Sequence, residues 1–411
     1  MSSSDPYAAL RIRDFRLFVL SRLFITLAIQ MQGVIVGWQI YALTKDPLSL
    51  GLIGLAEALP AIGVSLYAGH LADVVERKKI IVTCVAVLAL CSAALLYFTT
   101  PAGVHLISQN TLAIYAVIFV SGFARGFLSP ANFSFMPQLV DRSIYQNAIT
   151  WNSTIWEGAA VGGPMIGGLI YGFGGITAAY SADALLVVAA LVCYLSIPNR
   201  PLPPVSAEQG TWQKIKAGIK FVFGHQIILS AISLDLFAVL FGGAVALLPI
   251  FADEILHTGE IGLGFLRSAP AIGAVLMAVY ITHNPIKKNI GKILLWCVAG
   301  FGLSMIAFSL STWFWVSMAL LVLSGMFDCV SVIVRGTLIH TLTPENMKGR
   351  VAAVNSMFIG SSNEIGMLES GVAARLLGVV PSVIFGGLMT LGVVGITAWR
   401  APALRALQQV K

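Results

Sequence analysis

The sequence predicts an all-α membrane protein with twelve transmembrane helices in two parallel six-helix repeats. Three observations carry this. Apolar runs of crossing length recur along the chain, basic residues fall on alternate loops, and the two halves repeat each other at fixed offsets. Of 411 residues, 57% are apolar and 10% charged, and the mean hydropathy is +0.88. A soluble chain of this size carries far more charge on its surface. A membrane β-barrel would show short alternating segments instead.

A bilayer crossing takes roughly 20 helical residues. Runs of that kind place spans near 15–43, 48–70, 80–99, 111–135, 145–172, 176–197, 226–250, 260–282, 290–310, 313–335, 351–376 and 379–399. Turn signals separate them at Asp46-Pro47, Thr100-Pro101-Ala102-Gly103, Gly174-Gly175 and Thr343-Pro344. The first run follows a basic leader and is too long for a secretory signal, so it is expected to stay as span 1. One long linker, 198–225, opens PNRPLPPVSAEQG. It divides an N-terminal bundle, 1–197, from a C-terminal bundle, 226–411. Within the linker Trp212, Ile215, Ile219 and Val222 recur at helical spacing, with Lys214, Lys216 and Lys220 between them. That reads as an amphipathic helix on the inner leaflet. A linker packed against the bundle is the competing reading.

Charge sets the orientation. Arg11, Arg13 and Arg16, then Arg77, Lys78 and Lys79, then Arg142 fall on one set of loops. Arg200, Lys214, Lys216 and Lys220 follow in the linker. Lys287, Lys288, Lys292, Lys348, Arg350, Arg400, Arg405 and Lys411 complete the set, and the opposite loops hold Lys45 alone. The positive-inside rule then puts both termini and the linker in the cytoplasm of a multi-pass inner-membrane protein. This asymmetry explains the net charge of +7. It does not call for a nucleic-acid partner, because the basic residues are spread over separate loops. Cys84, Cys91, Cys193, Cys297 and Cys329 lie in apolar runs at no metal-binding spacing and read as reduced core residues.

The halves repeat. EALPAIG (Glu57 to Gly63) on span 2 matches RSAPAIG (Arg267 to Gly273) on span 8, offset 270 − 60 = 210. Ser121-Gly122 matches Ser324-Gly325, offset 324 − 121 = 203. The same 203 aligns Asn152-Ser153 with Asn355-Ser356, Gly163 with Gly366, and Gly168 with Gly371. Six spans separate the copies, so the repeats are parallel, as about a two-fold axis along the membrane normal.

GHLADVVERKKI (Gly69 to Ile80) resembles motif A of the major facilitator superfamily, and the resemblance covers nearly the whole chain. Gly69 would let helices approach closely, and Asp73 would cap a helix or pair with Arg77 or Lys78. The resemblance implies a latch that holds the cytoplasmic side against span 11 in an outward-open state. Val74 and Glu76 depart from the pattern, where the family has a base and a glycine. In the second half His283 aligns with Asp73, leaving only Lys287 and Lys288. GAAVGGPMIGG (Gly158 to Gly168) resembles the antiporter motif through Gly163-Pro164 and Gly167-Gly168. That motif goes with exporters that exchange substrate for protons. GRVAA, SSNEIG and SGVAA between Leu342 and Gly378 resemble the exporter branch that includes the enterobactin exporter and macrolide efflux proteins.

Charges at mid-membrane are costly and default to functional candidates. By depth these are Glu57, Arg267, Asp235, Glu157 and Glu364, with Arg125 and Asp328 in the inner halves of spans 4 and 10. Opposite charges at repeat-related positions predict two pairs, Glu57 with Arg267 and Arg125 with Asp328. Asp235 and Glu364 lack an obvious partner, and Asp235 is favoured as a proton site. A carboxylate that takes up a proton must lose its partner in one state. Gln30, Gln32, Trp38 and Gln39 on span 1, with Trp151, Asn152 and Trp156 on span 5, suit a large amphipathic substrate.

The function predicted is a proton-coupled exporter of a small amphipathic molecule such as a siderophore or drug, by alternating access. A lysophospholipid flippase and a non-transporting sensor are the alternatives. No nucleotide-binding loop, catalytic cluster or midplane histidine site is present in the sequence, so no enzyme activity, cofactor or metal is expected. The partners expected are substrate, protons and the lipid bilayer, acting on a monomer.

Overall fold

The computed structural model describes residues 5–200, 211–286, 288–344 and 347–408, and their regular structure is helical. After a 3-10 turn at Ala9–Arg11 come α1 (Arg13–Thr44), α2 (Pro47–Val74), α3 (Arg77–Tyr97), α4 (Pro101–Gln109) and α5 (Leu112–Phe135). Then follow α6 (Tyr145–Leu195), α7 (Thr211–Gly224), α8 (Gln226–Gly242), α9 (Leu248–Ile250) and α10 (Gly259–His283). The chain ends with α11 (Ile290–Leu310), α12 (Phe314–Leu342), α13 (Lys348–Leu377), α14 (Val379–Arg400) and α15 (Pro402–Arg405).

Among the described residues ten helices are long and apolar enough to cross a membrane. One of these runs 54 residues, Arg142–Leu195, where a crossing takes roughly 20. It fuses predicted spans 5 and 6. The backbone breaks at Gly175, φ 76° and ψ 175°, a conformation glycine adopts without a Cβ penalty. α13, 30 residues long, is a further long helix over predicted span 11.

Three features lie beyond the sequence reading. α4 stands where a loop is predicted; Pro101 opens it and the Thr100 hydroxyl accepts from the Gly103 N–H at 3.2 Å. Predicted span 7 is interrupted at Gly243, and the chain continues through a 3-10 turn, α9 and a π turn at Phe251–Ile255. α12 continues about two turns past its predicted end, to Leu342.

The chain forms two compact units. The first holds the described residues up to Leu43, those from Ala56 to residue 200, and Gly259–Ser268. The second holds Thr44–Leu55, residues 211–258 and the described chain from Ala269 onward. This differs from a division at the linker, because the first turns of α10 belong to the first unit and those of α2 to the second.

In the first unit Phe18 packs edge-on to Phe135 and Tyr194, with centroids 6.1 and 6.3 Å apart, and the Tyr194 hydroxyl donates to Asn132 Oδ1 at 2.9 Å. In the second, Leu294, Val298, Val334 and Leu338 form one cluster. Val222, Ile228, Ile232, Ile339, Val351 and Val354 form another. Val222 brings α7 into that cluster, and a Cβ on Gly218 would stand 2.9 Å from the Arg350 carbonyl oxygen. The linker helix therefore packs on its bundle, as the competing reading expects. The side chains of Trp212, Lys214 and Ile215 lie outside the described residues.

Lipid tails are as apolar as leucine, so helices in a membrane associate mainly through close packing and hydrogen bonds. Glycine seams provide the packing. In the first unit a Cβ on Gly168 would stand 2.7 Å from Glu260 O and from Gly264 Cα. In the second, a Cβ on Gly371 would stand 2.9 Å from Gly51 Cα and 3.0 Å from Pro47 O. Likewise Gly122 lies on the backbone of Glu57, and Gly325 on that of Pro270. These matched contacts keep the 203 offset on one side. On the other, 264 − 51, 260 − 47 and 270 − 57 all give 213, not the 210 of the PAIG motifs. The structural counterpart of Glu57 is thus Pro270, one turn from Arg267.

Candidate functional site

Each unit holds an arginine paired with a carboxylate, half-buried in the first unit and buried in the second. In the first, Gly122 lets α5 approach α2, and Arg125 meets Glu57 about one turn further on. Their side chains are 19% and 28% exposed, and the Arg125 Nη1 donates to Glu57 Oε1. Nη2 donates to Gln32 Oε1 at 3.1 Å. Asp183, on the second half of α6, is 1% exposed. The Ser92 hydroxyl faces it and Arg125 lies within electrostatic range, but neither carboxylate oxygen has a hydrogen-bond partner of good geometry. One turn away the Tyr180 hydroxyl donates to Gln39 Oε1 at 2.6 Å.

In the second unit Arg335 on α12 pairs with Asp235 on α8, with side chains 3% and 7% exposed. Asp235, Asp328 and Ser331 line one small cavity with Phe301 and Phe327. Asp328 makes no ion pair or hydrogen bond among the described residues, and the buried Ser331 hydroxyl has no partner.

These contacts correct the predicted pairing. Glu57 pairs with Arg125 within one unit, not with Arg267. Arg267 donates to the Gly33 carbonyl at 2.7 Å, which a Cβ on residue 33 would obstruct at 2.8 Å from Nη2. Arg125 is engaged by Glu57 and Gln32, which replaces the expected pair with Asp328. Asp235 has a partner after all, in Arg335. For Glu57 and Arg267 the repeats are slipped by one turn, which puts Pro270 rather than Arg267 where Glu57 stands.

The remaining candidates fall apart by environment. Glu157 is half-buried with no ion pair or hydrogen bond among the described residues. Asn152 is half-buried and Trp38 is buried. Gln32 and Gln39 are taken by Arg125 and Tyr180. Trp151 is tied to the start of the chain, donating to Pro6 O at 2.9 Å and packing on Tyr7 at 5.8 Å, so it is an anchor and not a cavity wall. Gln30 packs on Gly163, where a Cβ would stand 2.6 Å from its own Cβ. Gly167 packs on Met31, at 3.1 Å from its Cα. With Gly168 on α10, the motif from Gly163 through Pro164 to Gly168 is a seam facing two helices. The side chains of Glu364 and Asp73 lie outside the described residues.

The basic loop after α2 acts locally. Arg77 donates to Ala72 O at 3.2 Å and Ser134 O at 3.1 Å, and Lys78 to Leu195 O at 3.1 Å. Cations at these carbonyl-rich helix C-termini complement the helix dipoles. Among the described residues nothing lies within 4 Å of where a Cβ on Gly69 would stand.

Sequence reasoning missed Asp183 and Arg335. Asp183 is a lone charge in the middle of predicted span 6, the signal that marked Asp235. Arg335 falls at the predicted end of span 10, and only the longer α12 places it inside.

A family model described as transmembrane secretion effector matches residues 4–410. The enterobactin exporter EntS of Shigella dysenteriae serotype 1 (strain Sd197) is 27% identical over 387 residues, covering 92% of this chain and 90% of that protein. The enterobactin exporter EntS of Escherichia coli O1:K1 / APEC is 28% identical over 390 residues with the same coverage. A solved bacterial homologue of the iron transporter ferroportin, in an inward-facing state, matches with TM-score 0.71 at 16% identity, over 97% of this chain and 100% of that one. A POT family transporter in complex with 5-aminolevulinic acid matches with TM-score 0.73 at 12% identity, over 95% and 96%. At such identities these two structures speak for the fold alone.

Proposed function

We propose, since this chain belongs to the transmembrane secretion effector family of the major facilitator superfamily, that it exports a small amphipathic molecule of the siderophore or drug class in exchange for protons. That it is a multi-pass transporter follows from the family and from its exporter relatives. The substrate class rests on the enterobactin exporters, and the direction on the antiporter-like seam at Gly163, Pro164, Gly167 and Gly168.

The observation that carries proton coupling is the buried Asp235–Arg335 pair with Asp328 beside it. Arginine stays protonated in proteins, so it balances one carboxylate and leaves the other to be neutralised by a proton. If substrate or a rearrangement of α12 turns Arg335 from Asp235 to Asp328, the proton changes place or leaves. Alternating access would rock the two six-helix bundles, 1–197 and 226–411, of a monomer in the inner membrane, with both termini cytoplasmic. Glu57, Arg125, Arg267, Glu157, Glu364, Gln30, Trp38 and Asn152 are the further candidates for lining the path. Gly69, Asp73, Arg77 and Lys78 are the candidates for a cytoplasmic latch.

The test uses everted membrane vesicles and enterobactin as the probe. Uptake into the vesicles should depend on an imposed proton gradient and fall at least tenfold in D235N and D328N. Uptake that needs ATP and ignores the gradient overturns the proposal.

A further inference from the structure

Charge balance in the first unit leaves one carboxylate over. Arg125 carries one positive charge and is committed to Glu57 and, through its other amino group, to Gln32. Asp183 stands within its electrostatic range but is not hydrogen-bonded to the guanidinium; the Ser92 hydroxyl faces it without good hydrogen-bond geometry, and both oxygens are buried. Two ionised carboxylates would leave this apolar interior with a net negative charge, and an uncompensated buried charge costs several kcal/mol or more. Among the described residues Arg125 is the one cation acting on Asp183. From α3 the facing group is Ser92, with Cys91 in range of Arg125, and from α1 the amide of Gln39 holds the Tyr180 hydroxyl one turn away. From α5 it is Arg125, which links to Glu57 on α2. On its own helix the neighbour is Tyr180, whose proton is committed to Gln39. Ser92 can donate to a carboxylate or accept from a carboxylic acid, so it can serve either form.

We propose that Asp183 is a proton-carrying residue of the first unit, holding its proton while Arg125 is engaged by Glu57. When Arg125 turns from Glu57 toward Asp183, the Asp183 O–H bond breaks, the proton passes to water, and the new carboxylate pairs with the guanidinium. Glu57, released, takes a proton or meets substrate. The first unit thus carries one exchangeable proton apart from any carried beside Arg335. This rests on the reading of the chain as a proton-coupled exporter, but the protonated state of Asp183 is testable without it.

The experiment is infrared difference spectroscopy of the purified protein in lipid vesicles, comparing neutral with alkaline pH. The wild type should show the carbonyl stretch of a protonated carboxylic acid, and D183N should lose one such band. An identical set of bands in D183N overturns the proposal. If D183N does not fold, S92A keeps the carboxyl and removes the hydroxyl facing it. A shift of one acid band then supports the proposal, and an unshifted spectrum overturns it. In everted vesicles with enterobactin, D183N should lose gradient-driven uptake while keeping enterobactin exchange at equal concentrations. Gradient-driven uptake at the wild-type rate overturns the proposal. Wild-type uptake indifferent to the gradient, with the infrared band still lost in D183N, would end the antiport reading and leave the protonated site standing.

Discussion

The Asp235–Arg335 pair gives a sharp energetic prediction. Both side chains are almost fully removed from solvent, 7% and 3% exposed. At an effective dielectric constant of 20, unit charges about 4 Å apart attract by about 4 kcal/mol. Removing one partner forfeits that attraction and leaves the other charge buried, which costs ~3–5 kcal/mol in comparable sites. R335M should therefore destabilise by that amount, because it strands a carboxylate between α8 and α12. D235N should do the same by stranding the guanidinium. The double variant carries neither charge, and its loss should be no larger than either single. A double-mutant cycle then returns a coupling of about 4 kcal/mol. The assay is reversible unfolding in mixed micelles, read as free energies at one temperature. Single losses below about 1 kcal/mol, or a double equal to the sum of the singles, would refute the claim that the pair is buried and mutually dependent.

Four further outcomes follow from the packing and the hydrogen bonds. A Gly168→Val change should destabilise by roughly 1–3 kcal/mol through overpacking against Glu260 and Gly264. Gly158→Ala, where no atom lies within 4 Å, should gain about 0.5–1 kcal/mol of helix propensity in the same thermal unfolding measurement. Tyr180→Phe should cost ~1–3 kcal/mol by leaving Gln39 Oε1 without its donor, and adding Gln39→Leu should recover most of it. Arg125→Lys keeps the charge but loses the planar fork that reaches Glu57 and Gln32 together; chemical denaturation should show it less stable by ~1–3 kcal/mol.

What could be read from the sequence follows from the physics of each feature. A crossing helix needs only length and apolarity, both local, so α1, α3, α5, α11 and α14 lie close to their predicted limits. The Gly174-Gly175 turn was legible because positive φ favours glycine. α4 was not, since its signal is one capping threonine and a proline in a stretch too short to cross. Single charges such as Asp235 were legible by depth, because their cost depends on position along one helix. Their partners were not. Which side chain meets Arg125 depends on how α5 lies on α2, and that is fixed by a glycine against backbone, a contact between residues 65 apart (122 − 57). Arg335 stands at the predicted end of span 10, where depth gives no signal, and α12 runs about two turns further; Asp183 is a lone carboxylate inside span 6 and is legible by the same depth rule as Asp235.

The repeat explains why symmetry misled about charge. The motif PAIG occurs at an offset of 210, yet the backbone contacts of α2 and α10 obey 213. A slip of three residues moves a helix about 4.5 Å along its axis and returns nearly the same face, so small-residue packing tolerates it. A charge does not, because its partner is a single atom group and an ion pair weakens as its ends separate. Glu57 and Arg267 share a place in the motif but sit one turn apart in the two packings. Each has found its own neighbour, Arg125 for Glu57 and the Gly33 carbonyl for Arg267. The glycine contacts are therefore shared between the repeats while the buried charges have diverged, and it is in the charges that the two units differ chemically.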